Sequence, residues 1–154
     1  MEPVVVYSRL TALPASIDML EAESEADGFR MIARLRTEWN EGTNRFDREG
    51  EVLFGAHLDG RLIGVGGLNR DPYRPDPKIG RVRHLYVLQD HRRLGVGRAL
   101  VEMVVDHARA RFSALRLWTD RAGSFYERIG FRPVSEDRAT HRLDMVAAQG
   151  KKTR

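Results

Sequence analysis

The sequence predicts an α/β fold of the α+β kind, a mixed sheet with covering helices in the order β-α-α-β-β-β-α-β-α-β-β. Three observations carry this. Short β-branched or apolar runs recur along the chain, bounded by Gly, Pro, Asn and Asp. Segments with apolar residues three and four apart alternate with them. Asp59-Gly60 stands between two apolar runs, the strongest short-range hairpin signal. A chain of 154 residues suits one domain, assigned to 1–147, with a basic tail at 148–154 expected to be disordered.

The elements follow in order. VVVYSRL (4–10) is short and β-branched, a strand. From about Leu13 to Asn40 the pattern is helical; Ser16 or Asp18 can cap one piece, and GFRMIARLRTEW (28–39) has helical apolar spacing. EGTNRFDREGE (41–51) is a polar loop. EVLFGAHL (51–58) and RLIGVGGLN (61–69) form the hairpin, and the three glycines of the second strand point to close packing or a bulge. DPYRPDP (71–77), with three prolines, is a loop. IGRVRHLYVL (79–88) is a long strand, and 94–112 is a helix with an apolar stripe at Val96, Leu100, Met103 or Val104, Ala108 and Phe112. SALRLWT (113–119) is a strand, AGSFYERIG (122–130) a short helix with Gly130 at its C-cap, and FRPV (131–134) and THRLDMV (140–146) are the last strands.

Composition narrows the function. Hydrophobic content of 42% and charged content of 31% are those of a globular domain. Without cysteine there is no disulfide framework and no thiolate metal site. The five histidines show no two-ligand helical spacing, so no metal is implied. The N-terminus lacks a signal-peptide pattern and no apolar run approaches a membrane span, so a cytoplasmic location without membrane partners is expected. The net charge is +4, but basic residues are interleaved with acids, which favours a small anionic ligand over nucleic acid.

The segment HRRLGVGRALVE (91–102) is the most informative. Two glycines stand where a helix begins, although glycine costs about 1 kcal/mol against alanine inside a helix. The first N–H groups of a helix lack internal partners, and its dipole favours an anion there. Gly95 and Gly97 leave those groups uncovered, and Arg92, Arg93 and Arg98 add positive charge, an arrangement suited to a phosphate. A tight turn with solvent-facing arginines is the alternative. A P-loop string is absent, and the dinucleotide fingerprint fails at Leu100.

Residues 79–131 resemble the GCN5-related N-acetyltransferase (GNAT) superfamily. Its Arg/Gln-x-x-Gly-x-Gly/Ala motif is matched by Arg92-Arg93-Leu94-Gly95-Val96-Gly97, and its Phe-Tyr-Glu-x-x-Gly-Phe motif by SFYERIGF (124–131). Element order fits that fold from about 3 to 146. The resemblance implies a centrally splayed sheet and an acetyl-CoA-dependent acetyltransferase acting on a primary amine, with a homodimer compatible. It implies that Leu85, Tyr86 and Val87 pair with the pantetheine of acetyl-CoA as an added strand does. The amides from Arg93 to Arg98 would hold the pyrophosphate, with an N–H near Val87 for the developing oxyanion. Tyr126 would protonate the departing thiolate; by the residues alone it reads equally as a core tyrosine.

Three departures matter. Thr119 stands where the family often has an asparagine that binds pantetheine. Gln89 replaces a frequent proline. The strand positions that often carry a general base are Arg81 and Arg83, neither of which is a base at neutral pH. Alternation places both on one face and His84 on the other. Glu51 or His141 can substitute as base through a water. Arg81 and Arg83 either bind a carboxylate or phosphate on the acceptor or pair with acids of this chain. Trp39, Asn44 and Phe46, around the loop before the hairpin, are candidate acceptor-pocket residues, with an ordinary connector as the alternative. A non-catalytic acyl-CoA-binding module on the same fold is the competing class.

Overall fold

A computed structural model describes residues 3–145; the tail 148–154 lies outside the described residues. The elements are β1 (Val6–Arg9), α1 (Ile17–Ala26), α2 (Met31–Glu41), β2 (Val52–Leu58), β3 (Arg61–Arg70), β4 (Ile79–Val87), a 3-10 turn (Gln89–Leu94), α3 (Val96–Ala108), β5 (Ala114–Leu117), α4 (Gly123–Ile129), β6 (Arg132–Glu136) and β7 (Ala139–Asp144). The expected order of strands and α-helices is therefore realised. The strands form one seven-stranded sheet in the order β1-β2-β3-β4-β5-β7-β6, in which β4 and β5 make the parallel pair.

Local chemistry explains the joints. Asp59 and Gly60 both have positive φ, as a tight hairpin between β2 and β3 requires. The helical stretch breaks at Asp27–Arg30, where Gly28 has φ +90. The α3 stripe is buried at Val96, Leu100, Val101, Val104, Val105 and Ala108, and it packs on β2, β3 and β4. α1 and α2 cover the other face. The glycines of β3 show the two sides directly. A Cβ on Gly66 would meet Leu85 and the α3 residue Leu100, whereas one on Gly67 would come 2.8 Å from the Phe46 ring.

Two irregularities shape β4. Its pairing with β3 runs Val65 to Tyr86 and then Gly67 to Arg83, so His84 and Leu85 together oppose Gly66. This is a β-bulge, with His84 at φ +62. Its pairing with β5 ends early. Ile79, Gly80 and Arg81 pair with Ala114, Leu115 and Arg116, and beyond that rung the strands part. The bulge overturns one expectation from alternation. Leu85 turns to the α3 face, while His84 packs edge-on against Phe46 (5.9 Å between ring centroids), on the same face as Arg83.

Candidate active site

Where β4 and β5 part, a cavity of about 730 Å³ opens. Residues 82–87 of β4 form one wall and residues 117–122, running from β5 into α4, form the other. The α1–α2 loop closes one side and the start of α3 another. Five arginines (30, 83, 92, 98 and 121) and two aspartates (27 and 120) line it, so its field is positive.

The two glycines at the start of α3 differ in their surroundings. Gly95 is left-handed (φ +77), a conformation in which a side chain is strained. Gly97 faces the cavity, where a Cβ would lie 3.5 Å from Phe125. Arg92 donates from Nε to the Val87 carbonyl (2.8 Å) and lies over the Tyr86 ring, 5.1 Å from its centroid. Leu88 N–H bonds Ile63 of β3, so by alternation the Val87 peptide groups face the split. With its carbonyl held by Arg92, Val87 offers an N–H there. Tyr86 donates to Glu23 of α1 (2.7 Å).

Tyr126 of α4 lines the cavity, is 6% exposed and packs edge-on between Phe125 and Phe131. Burial pushes its phenol above the ordinary tyrosine value, so the group carries its proton. Thr119 lines the same wall, and its hydroxyl accepts from Ala122 N–H (3.0 Å), which anchors the entry to α4.

Of the other expected residues, Leu85, Tyr86, Val87, Arg92, Gly95, Gly97, Arg98 and Arg83 line the cavity. Arg93, Leu94 and Val96 are not among its lining side chains; Leu94 is exposed and Val96 is core. Arg81 is corrected. It is buried, pairs with Asp71 (3.4 Å) and donates to the Arg138 carbonyl (2.7 Å), the intrachain alternative. Glu51 is corrected too: it is buried at the start of β2, where it accepts from Arg70 N–H (3.1 Å). His141 bonds Glu127 (2.9 Å) and Thr140 (3.0 Å), and neither candidate base lines the cavity.

Trp39, Asn44 and Phe46 do not line it either. Asn44 exchanges two hydrogen bonds with Asn69, and Phe46 fills the space that Gly67 leaves. The cavity residues that sequence reasoning misses include Asp27, Phe29, Trp118 and Arg121. Arg121 lies over Phe29 (4.1 Å) and donates to the Asp27 carbonyl (2.9 Å), a link across 94 residues that no local pattern signals.

The acetyltransferase (GNAT) family model matches residues 17–131, which spans both walls of the split. The chain belongs to the acetyltransferase (GNAT) family. Its fold is shared by a candidate acetyltransferase from Exiguobacterium sp. 255-15, with a TM-score of 0.86 and 29% identity over 97% of this chain and 99% of that one. N-acetylglutamate synthase from Neisseria gonorrhoeae, complexed with coenzyme A and N-acetyl-glutamate, has the same fold. Its TM-score is 0.64 and its identity 21%, over 90% of this GNAT chain and 34% of that one. The camello protein of Xenopus tropicalis, a candidate N-acetyltransferase, is 32% identical over 89 residues. That match covers 54% of this chain and 40% of the relative, so it spans less than half of the relative's length. Among the described residues no helix is long and apolar enough to cross a membrane.

Proposed function

We propose that this GNAT protein is an acetyl-CoA-dependent N-acetyltransferase that acetylates a primary amine by direct attack, on an acceptor bearing an anionic group. One observation carries the reading. The phosphate-suited turn, the unpaired edge of β4 and the protonated Tyr126 all open into the same positive cavity. That cavity fits acetyl-CoA: Gly95 and Gly97 leave the start of α3 uncovered for a pyrophosphate, and the edge of β4 is free beside pantetheine. Coenzyme A is the ligand of the neisserial synthase of the same fold.

Acetyl-CoA supplies the acyl group as an activated thioester. The chain's own groups do the rest. Val87 N–H points into the split, where it can stabilise charge on the acyl oxygen. Tyr126 holds a proton for the departing sulfur. As the N–C bond forms and the C–S bond breaks, the amine nitrogen loses one proton and the sulfur gains one. Arg83 supports the anionic acceptor, since it is the β4 guanidinium that faces the cavity without an ion pair among the described residues.

Calorimetric titration with acetyl-CoA at physiological salt, with NAD as control, tests the cofactor. Thiol release with an amine panel then tests catalysis. One-to-one binding of acetyl-CoA alone, followed by amine-dependent thiol release, is expected. Binding without release from any amine returns the non-catalytic acyl-CoA module; no binding removes the enzyme reading.

A further inference from the structure

Arg81 and Arg116 occupy the last shared rung of β4 and β5, and both guanidiniums reach the Asp71 carboxylate (3.4 and 2.8 Å) on one face of the sheet. Side chains two residues further along a strand return to the same face. On β4 that residue is Arg83; just past β5 it is Trp118. Leu117, between Arg116 and Trp118, packs instead into the core around α3. Arg83 and Trp118 are therefore the first rung of the opened split, one on each wall of the cavity.

Neither is spent within the described residues. The Arg83 guanidinium makes one long hydrogen bond, from Nη1 to Asn69 Oδ1 at 3.4 Å, and enters no ion pair. It is half-buried, and burial lowers its pKa; Glu38 offsets part of that from beyond ion-pair distance, while Arg34 and Arg81 add like charge, so the cation would gain from a bound anion. Trp118 is 56% exposed, although it lines a cavity. Its indole N–H donates to Asp120 (3.0 Å), which holds the ring in place. No aromatic ring or cation among the described residues takes up its faces, whereas Phe29 and Tyr86 are both covered by arginines.

We propose that Arg83 and Trp118 form the acceptor subsite and select free amino acids with a large apolar or aromatic side chain. This rests on the acetyl-transfer reading and names its acceptor class. The planar fork of Arg83 takes the carboxylate. The indole of Trp118 takes the side chain, with Met31 adding apolar surface to the same cavity. A cationic acceptor meets the opposite conditions. Arg30, Arg83 and Arg121 repel it, and of the two cavity acids Asp27 already faces Arg92 and Arg121 (3.9 and 3.8 Å). In the transfer the α-amine nitrogen bonds to the acyl carbon, the C–S bond breaks, and one proton passes in net from nitrogen to sulfur.

The test measures thiol release from acetyl-CoA with phenylalanine, tryptophan and methionine, against phenethylamine, alanine, phosphoethanolamine and spermidine. The large apolar amino acids are expected to exceed each of the others in kcat/KM by about tenfold or more. Arg83→Gln and Trp118→Ala should raise the KM for phenylalanine by a similar factor, while the calorimetric Kd for acetyl-CoA stays within about twofold. Arg83→Lys should restore part of the loss if the charge is what matters. Preference for phenethylamine or spermidine overturns the carboxylate role, and preference for phosphoethanolamine or turnover of none of the amino acids overturns the class. If Trp118→Ala weakens acetyl-CoA and spares the acceptor, the indole serves the cofactor and the proposal falls. Failure of the wild-type protein to bind acetyl-CoA is a different result, which removes the acetyl-transfer reading itself.

Discussion

Arg81 and Arg83 stand two residues apart on one face of β4 and have opposite roles. Arg81 lies where β4 is still paired with β5, and it is consumed by Asp71 and the Arg138 carbonyl. Arg83 lies just past the split and faces the cavity with only a long contact to Asn69. Residue type and strand alternation are the same for both. What differs is whether a neighbouring strand is present, which decides whether a buried cation finds a partner inside the chain or must find one in a ligand.

The closed end should be the more sensitive to mutation. Asp71 is fully buried and holds both Arg81 and Arg116, the latter also fully buried. Asp71→Asn leaves two guanidiniums with little compensation, and removing one partner of a buried pair costs about 3–5 kcal/mol. Urea denaturation should show a loss of that size. A loss under about 1 kcal/mol would mean that Glu136, 3.2 Å from Arg116, already neutralises the cluster.

At the open end the largest effect should be on rate, with folding spared. Tyr126→Phe keeps the ring between Phe125 and Phe131 and removes the hydroxyl, which has no hydrogen-bond partner among the described residues. The expected result is a fall in kcat of about 100-fold or more, with the urea midpoint nearly unchanged. If kcat is retained, Tyr126 is a core residue. Because burial raises its pKa, it should not lose its proton near neutrality. The wild-type kcat/KM should therefore rise with pH as the acceptor ammonium deprotonates, without a falling limb below about pH 10.

The α3 turn is legible in the sequence by itself, whereas the split and the place of Tyr126 are legible through the family resemblance that two short motifs carry. These features are local: two glycines at a helix start and a short aromatic helix closed by Gly130. The acceptor side is less legible because it depends on register. The bulge at His84 places that ring beside Arg83, and unbroken alternation cannot show it. Its signal is on the partner strand, where Gly64, Gly66 and Gly67 mark irregular packing. Trp118 is recoverable, since it shares a face with Arg116 by simple alternation. Phe29 and Arg121 are not, because their contact joins loops 92 residues apart. Asn44 and Phe46 misread as pocket residues for the complementary reason: a polar loop gives no sign that its Asn and Phe fold inward onto β3 and β4.

A paired substitution sharpens the contrast between the two arginines. Arg81→Gln removes charged hydrogen bonds from a buried site and should cost about 1.5–3 kcal/mol. Arg83→Gln removes a half-buried cation that has no ion pair among the described residues and should change stability by no more than about 0.5 kcal/mol. Urea denaturation of the two variants beside the wild type measures both. Equal costs would place Arg83 in the structural network and leave the cavity without its anion-binding group.

The last contrast concerns the ring beside Arg83 and is read as a slope against pH. His84 is 8% exposed, and its Nε2 is buried without a hydrogen-bond partner among the described residues. Burial first, then the guanidiniums of Arg83 and Arg34, push its pKa down to about 3. In the unfolded chain the same imidazole titrates near about 6.5. Between those two values the unfolded state binds a proton that the folded state refuses, so stability falls as pH is lowered through that window. The slope from this group approaches about 1.4 kcal/mol per pH unit. His84→Gln should remove that slope and leave the carboxylate contribution at lower pH in place. Urea denaturation at pH 7, 6, 5 and 4 measures both proteins. If the two slopes coincide, His84 takes up its proton in the folded state, which would require water at the bulge and weaken the case that Arg83 is short of a counter-charge.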